Sequence, residues 1–403
     1  MNARLTKVFM RRFARSFAAG VMLFGLVSSG AAADKKILLI SGKPSHGPGD
    51  HEFHAGCLLL KKCLDQVPGI ASQVYPNGWP DSDSAFEGAA AVLIYADGGD
   101  GHPAIQGDRI KLVDQLAKKG VGIGCAHYGV EVPKGAAGEA MHRWIGGYYE
   151  HQYSVNPMWR PDFKTFPEHA VTRGVKPFAL IDEWYFNMRW PEGMKGVTPI
   201  LVAKPSDAVR DGPYVYPPGP YPHIQAAKGR AETMMWVFER PDGGRGFGFT
   251  GGHKHVNWSN ENFRKVVLNA LLWIARAEVP TNGVESKISP DDITKNLDPK
   301  GAPPGAPNLT GHWKFKVETS QGSGEPTFDL VHAGQNVLGR YQGRFGEADV
   351  FGLVNKQKLN LNFTVNYQGE DSQVTYSGQV EADGTLKGTA KFGEFEATWS
   401  AVR

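Results

Sequence analysis

Seven histidines fall just beyond stretches that read as buried strands, a placement that suits proton transfer or metal ligation. His46, His51 and His54 follow Lys36–Ser41, and His102 follows Ala91–Ala96 together with Asp97 and Asp100. His127 follows Val121–Cys125, and His253 and His255 follow Arg245–Thr250. Imidazole titrates nearest to neutral pH and is the commonest metal ligand. His253-Lys-His255 puts two rings on one side of an extended segment. With a carboxylate, Asp182 or Glu183, they could complete a facial site for a divalent ion such as zinc. The expected metal set is His253, His255 and Asp182, and His127 and Glu183 are the acid/base candidates because both groups can be tuned to titrate near neutral pH. His51 and His54 are three residues apart and would share a helix face. At a first turn the helix dipole favours their neutral rings, as base or ligand, whereas the alternative is loop packing and capping by Ser45–Asp50.

Other residues would contact a substrate. Tyr128, Trp184 and Trp258 suit the apolar faces of sugar rings, although tryptophans also fill cores. Tyr185 and Arg189 could bind hydroxyls or a carboxylate, and His46 and His51 could orient them. Cys125 invites comparison with a nucleophile elbow, which needs a sharp strand-to-helix turn. That turn falls at His127-Tyr128-Gly129, so Cys125 reads as a buried thiol inside the strand. Cys57 and Cys63 lie six residues apart on one helix, roughly 9 Å along its axis, too far for a disulfide.

Alternating strands and helices must position these groups. Lys36–Ser41, Ala91–Ala96 and Val121–Cys125 are short apolar runs of the kind found in parallel sheets. Helices are expected from Asp50, as N-cap, to about Asp65, from Asp108 to Lys119 and from Asn262 to Ala277. Ala179–Arg189 and Thr198–Ala203 read as strands, and Met234–Glu239 with Arg245–Thr250 as a hairpin. The order predicts a doubly wound α/β domain over 34–279, whose ligands gather outside the carboxyl ends of the strands. Residues 280–307 have the prolines, glycines and charges of a linker. From 308 to 403 the pattern switches to period two, as in Leu359, Leu361, Phe363 and Val365, and predicts a small antiparallel β-barrel.

Residues 1–33 have the basic head, apolar stretch and Ala31-Ala-Ala33 end of a signal peptide, so export, to a periplasm, is expected. Arg11-Arg12 leaves the Tat route open beside the Sec route. The chain is formally +3, and five cations without an acid lie in residues 1–33, so the remainder is +3 − 5 = −2. That balance gives no reason to expect nucleic acid as a partner. The apolar run is too short to span a bilayer, and none later is longer.

Ser41-Gly-Lys-Pro-Ser-His-Gly-Pro-Gly-Asp-His-Glu52, Ala126-His-Tyr128, Asp182-Glu-Trp-Tyr185 and Gly246-Phe-Gly-Phe-Thr-Gly-Gly-His-Lys-His255 occur in that order. Together they resemble the ThuA-like (trehalose utilisation) family over roughly residues 35–278. The resemblance implies a class I glutamine amidotransferase-like, flavodoxin-like fold and a role in sugar metabolism, often beside oxidoreductases that make 3-keto sugars. Where amidotransferases carry a cysteine at the elbow, this chain presents His127. The barrel loosely resembles lipocalin-like modules appended to exported bacterial hydrolases.

The expected function is acid/base hydrolysis, elimination or isomerisation of a sugar or keto-sugar, with a small-molecule carbohydrate as partner. The alternatives are a non-catalytic sugar-binding or scaffold protein and, behind it, a cysteine enzyme of the amidotransferase type.

Overall fold

The computed structural model describes residues 34–403 apart from 301–306, 321, 368–369 and 394. The signal peptide expected at 1–33 lies outside the described residues, as does part of the expected linker.

Strand β1 (Lys35–Ser41) shows how the first domain is layered. Ile37 and Leu39 face one side, where α1 (Phe53–Leu64) and α4 (Glu261–Ile274) cover them. Leu38 and Ile40 face the other, under α2 (Arg109–Lys118) and α3 (Ala136–Trp144). Both faces are covered, so the strand is apolar throughout instead of alternating. The other strands are β2 (Ile70–Tyr75), β3 (Ala89–Tyr95), β4 (Gly122–Ala126), β5 (Val197–Ala203), β6 (Glu232–Glu239) and β7 (Arg245–Phe249). They form one sheet in the order β2-β1-β3-β4-β7-β6-β5. The first five are parallel, and β6 runs antiparallel to both of its neighbours, β7 and β5, giving a flavodoxin-like domain. The chain leaves β1 for β2 on one side and returns to β3 on the other, so the switch point lies between β1 and β3.

Three local expectations change. Helix α1 begins at Phe53 rather than after an Asp50 cap, because His51 has a φ of 49° and cannot continue a helix. His51 and His54 therefore do not share a helix face: His54 turns to the Ser41 hydroxyl. Ala179–Arg189 holds only two-residue strands, Phe178–Ala179 and Asp182–Glu183, and Asn187, with φ 60°, ends the extended run. Strand β2 gives no clear sequence signal because it is a sheet edge with Ala71 and Gln73 exposed.

Residues 280–300 pack against the first domain. Val284 and Ile293 are buried in its core, and α5 (Pro290–Thr294) starts in a capping box of Ser289 and Asp292. Partly buried Ile288 and Leu297 and a hydrogen bond from Val284 N to Asn269 Oδ1 at 2.8 Å help dock a segment that could not build a core of its own.

The C-terminal strands are β8 (Gly311–Thr319), β9 (Thr327–Ala333), β10 (Asn336–Gly343), β11 (Gly346–Asn355), β12 (Lys358–Tyr367), β13 (Glu370–Val380), β14 (Leu386–Phe392) and β15 (Phe395–Val402). Each pairs antiparallel with the next, and β8 pairs with β15 to close an eight-stranded barrel. Closure removes the sheet edges. Phe315, Phe328, Tyr341, Phe363, Tyr376 and Trp399 fill the interior, with Phe315 and Phe328 centroids 4.3 Å apart. Among the described residues, no helix is long and apolar enough to cross a membrane.

Candidate metal centre

Loops at the carboxyl ends of β1, β3, β4 and β7 bring His51, Asp97, His127 and His253 together. Strand β4 ends at Ala126 and the backbone turns at His127, whose φ is 50°. His46 and His51 also have positive φ, at 62° and 49°. Each such non-glycine conformation costs of order 1–3 kcal/mol, so the surrounding contacts must hold it.

Three imidazole nitrogens and one carboxylate oxygen converge. His51 Nε2 lies 2.9 Å from His127 Nε2 and 3.0 Å from His253 Nδ1. Glu183 Oε2 lies 2.6 Å from His253 Nδ1 and 3.6 Å from His127 Nε2. All four residues are buried.

The outer ring nitrogens fix the protons. His127 Nδ1 faces the Thr250 carbonyl at 3.0 Å, His51 Nδ1 faces Asp97 Oδ1 at 3.0 Å, and His253 Nε2 faces Asp50 Oδ2 at 3.4 Å. Each of these oxygens can only accept, so each facing nitrogen carries the hydrogen. In the neutral rings, the three inner nitrogens then present lone pairs to one another and to Glu183. Lone pairs repel unless a cation or shared protons lie between them. Carboxylate or carbonyl partners behind each ring are the usual support of metal-binding histidines. Four ligands around zinc would stand about 3.3 Å apart, given Zn–N bonds of about 2.0–2.1 Å. The observed separations bracket that value, and the cluster could hold a metal ion.

The three rings differ in their electrostatics. Burial, then the neighbouring His253 and other rings, holds His51 well below the usual histidine range. Burial, then His51 and His253, does the same to His127. At His253 burial is outweighed by Asp50 and Glu183, which lift it to about 9. Without a cation, a proton on His253 would therefore neutralise Glu183. Asp97 is raised by burial, although Ser45 donates to it at 3.0 Å.

The cluster borders a cavity of about 490 Å³ lined in part by His46, Tyr128, Glu131, Asn156, Glu183 and Tyr185. Asn156 Nδ2 donates to Glu183 Oε1 at 2.7 Å, leaving Oε2 for the cluster. Tyr185 OH lies 3.3 Å from His127 Nε2. Glu131 has no side-chain hydrogen bond among the described residues, and burial, then the Glu183 charge, raises its carboxyl to about 8.

The other expected site residues lie elsewhere. His255 is buried with Nε2 on the Ile293 carbonyl at 3.1 Å. Asp182 accepts from the Gly252 and Lys254 backbone at 2.7 and 3.1 Å, so it shapes the His253 loop. Thus His253 is joined by His51, His127 and Glu183, not by His255 and Asp182. Trp184 and Trp258 are fully buried in the core. Arg189 pairs with Glu150 at 2.7 Å and stacks on Tyr153, away from the cavity lining. Cys125 is buried between β4 and the α2–α3 layer, where burial pushes its thiol up. Sequence reasoning placed Asp97 at a strand end without a role, read Asp50 as a cap, and gave no signal for Glu131 or Asn156.

Residues 84–274 match the ThuA family, described as trehalose utilisation. That match includes His127, Glu183 and His253 but not His51. A ThuA-like protein from Bacteroides uniformis is similar at 15% identity, over 62% of this chain and 95% of its own, with a TM-score of 0.42. A de novo designed fluorescence-activating β-barrel is similar at 14% identity, over 24% of this chain and 93% of its own, with a TM-score of 0.20. Fatty-acid-binding protein 1 of Echinococcus granulosus is similar at 14% identity, over 24% of this chain and 96% of its own, with a TM-score of 0.17. No curated protein matches the chain.

Proposed function

We propose that the chain is an exported carbohydrate-processing enzyme that uses a divalent ion, zinc first among candidates, in acid/base hydrolysis, elimination or isomerisation of a sugar or keto-sugar. The observation that carries this reading is the convergence of His51, His127, Glu183 and His253 at the edge of a polar cavity. A nitrogen-rich set with one carboxylate suits zinc, and a bound ion that took a fifth ligand from the cavity would polarise a substrate oxygen or acidify a water.

The chain's own residues would do the rest. Glu131, whose carboxyl burial raises above the usual carboxylate range, would donate a proton to a leaving oxygen. Tyr185 and Tyr128 would hold hydroxyls, and His46, half out of the wall, would reach the outer end of a sugar. In this reading His127 and Glu183 act as ligands, and the proton chemistry passes to Glu131. The cavity's size is within the range of small-molecule sites. The basic, apolar and small-residue order of residues 1–33 supports export.

The test is elemental analysis of the purified protein beside turnover of keto-glycosides, before and after chelation. One equivalent of metal and chelator-sensitive turnover are expected. Fully folded protein with neither would overturn the proposal.

A further inference from the structure

The loop that carries His51 is also gripped by the barrel. The β9–β10 turn lies against it, where Gln335 N donates to the Pro48 carbonyl at 3.3 Å. Asn336 Nδ2 donates to Asp50 Oδ1 at 2.9 Å, and Asn336 is buried. The contact leaves no room for side chains on either partner. A Cβ on Gly334 would lie 2.2 Å from the Pro48 carbonyl carbon, and one on Gly49 (φ 84°) would lie 2.4 Å from the Ala333 oxygen. From the connecting segment, Lys300 Nζ donates to the Asp50 and His51 carbonyls and pairs with Glu52 at 3.3 Å.

These contacts divide the two oxygens of Asp50. Oδ1 takes both Asn336 and Lys254, each at 2.9 Å, while Oδ2 faces His253 Nε2 at 3.4 Å. An Asp50 held this way keeps the His253 hydrogen on Nε2 and turns Nδ1 toward Glu183 and His51. Such outer partners typically change metal affinity 10–100-fold when removed.

We propose that Asn336 is a positioning residue of the metal centre: acting through Asp50 it orients His253, so that the barrel completes the site. This rests on the metal reading above.

The test uses the full chain with Asn336→Asp, which keeps the shape but sets a second carboxylate beside Asp50, and Asn336→Ala as the alternative should the first fail to fold. Gln379→Ala, on the barrel far along the sequence from the turn, is the control, and circular dichroism confirms folding of each. Cobalt(II) is the probe, followed by its visible absorption. Affinity is expected to fall about tenfold or more and the absorption bands to change in the Asn336 variants, with the control like the wild type. Folded Asn336 variants that match the wild type in both would overturn the positioning role while the metal reading stands. A wild type that takes up no cobalt would overturn the metal reading, and this proposal with it.

Discussion

The two β-rich halves of this molecule treat their interiors in opposite ways. In the α/β domain the strands stop at one edge, where four buried polar side chains gather with two outer carboxylates. In the barrel the strands close on one another, and aromatic rings occupy the lumen. An open sheet has a crevice where strand order reverses, so side chains from distant segments can meet there. A closed eight-stranded barrel has an interior wide enough for side chains or one small ligand, and here aromatic side chains take up much of it. Its buried polar side chains His332 and Asn336 lie instead at the turn that meets the first domain. The barrel meets the loop that carries His51 by contact at one end.

Removing a ligand tests this contrast most severely. His127→Ala or His51→Ala should abolish stoichiometric metal, with affinity falling more than about 100-fold, beyond what loss of an outer partner costs. Metal content and calorimetric titration check it, and a variant that keeps its ion would refute the four-ligand centre.

Glu131→Gln should retain metal and lower kcat by about 10²–10⁴. Glu131 is the acid in its protonated form, and burial raises its carboxyl, so wild-type rate should be high below that raised pKa and fall as pH rises through it. The variant should lose that alkaline limb. A pH–rate profile with the limb intact in the glutamine variant would remove Glu131 from the chemistry.

Phe328→Ala should destabilise the barrel by about 3–5 kcal/mol through the cavity it leaves, with metal content unchanged while the protein stays folded. Thermal unfolding monitored beside metal content separates the two. The smallest effect is expected at Cys125→Ser. Turnover should persist, and stability should fall by about 1–3 kcal/mol because the hydroxyl enters an apolar core without a partner. Lost turnover in folded, metal-loaded protein would restore a role for the thiol.

The layers and the two folds were legible in the order of residues alone. Continuous apolar strands separated by amphipathic helices require a sheet covered on both faces, and period-two alternation in 308–403 requires a sheet with one buried face. The histidines fell at strand ends on the same grounds, because that placement depends only on position along the chain. Which of them meet is a property of the folded chain. His253-Lys-His255 looked like a pair because alternate residues share a side in an extended strand, yet a 3-10 turn from His255 to Ser259 sends that ring to Ile293. His51 looked like a helix-face residue, yet its positive φ turns it to His127, 76 residues away. Neither backbone torsions in loops nor contacts across such separations leave a period in the sequence. Asn336, 286 residues from Asp50, is the extreme case: an asparagine in a hairpin reads as turn chemistry until the barrel is set against the sheet.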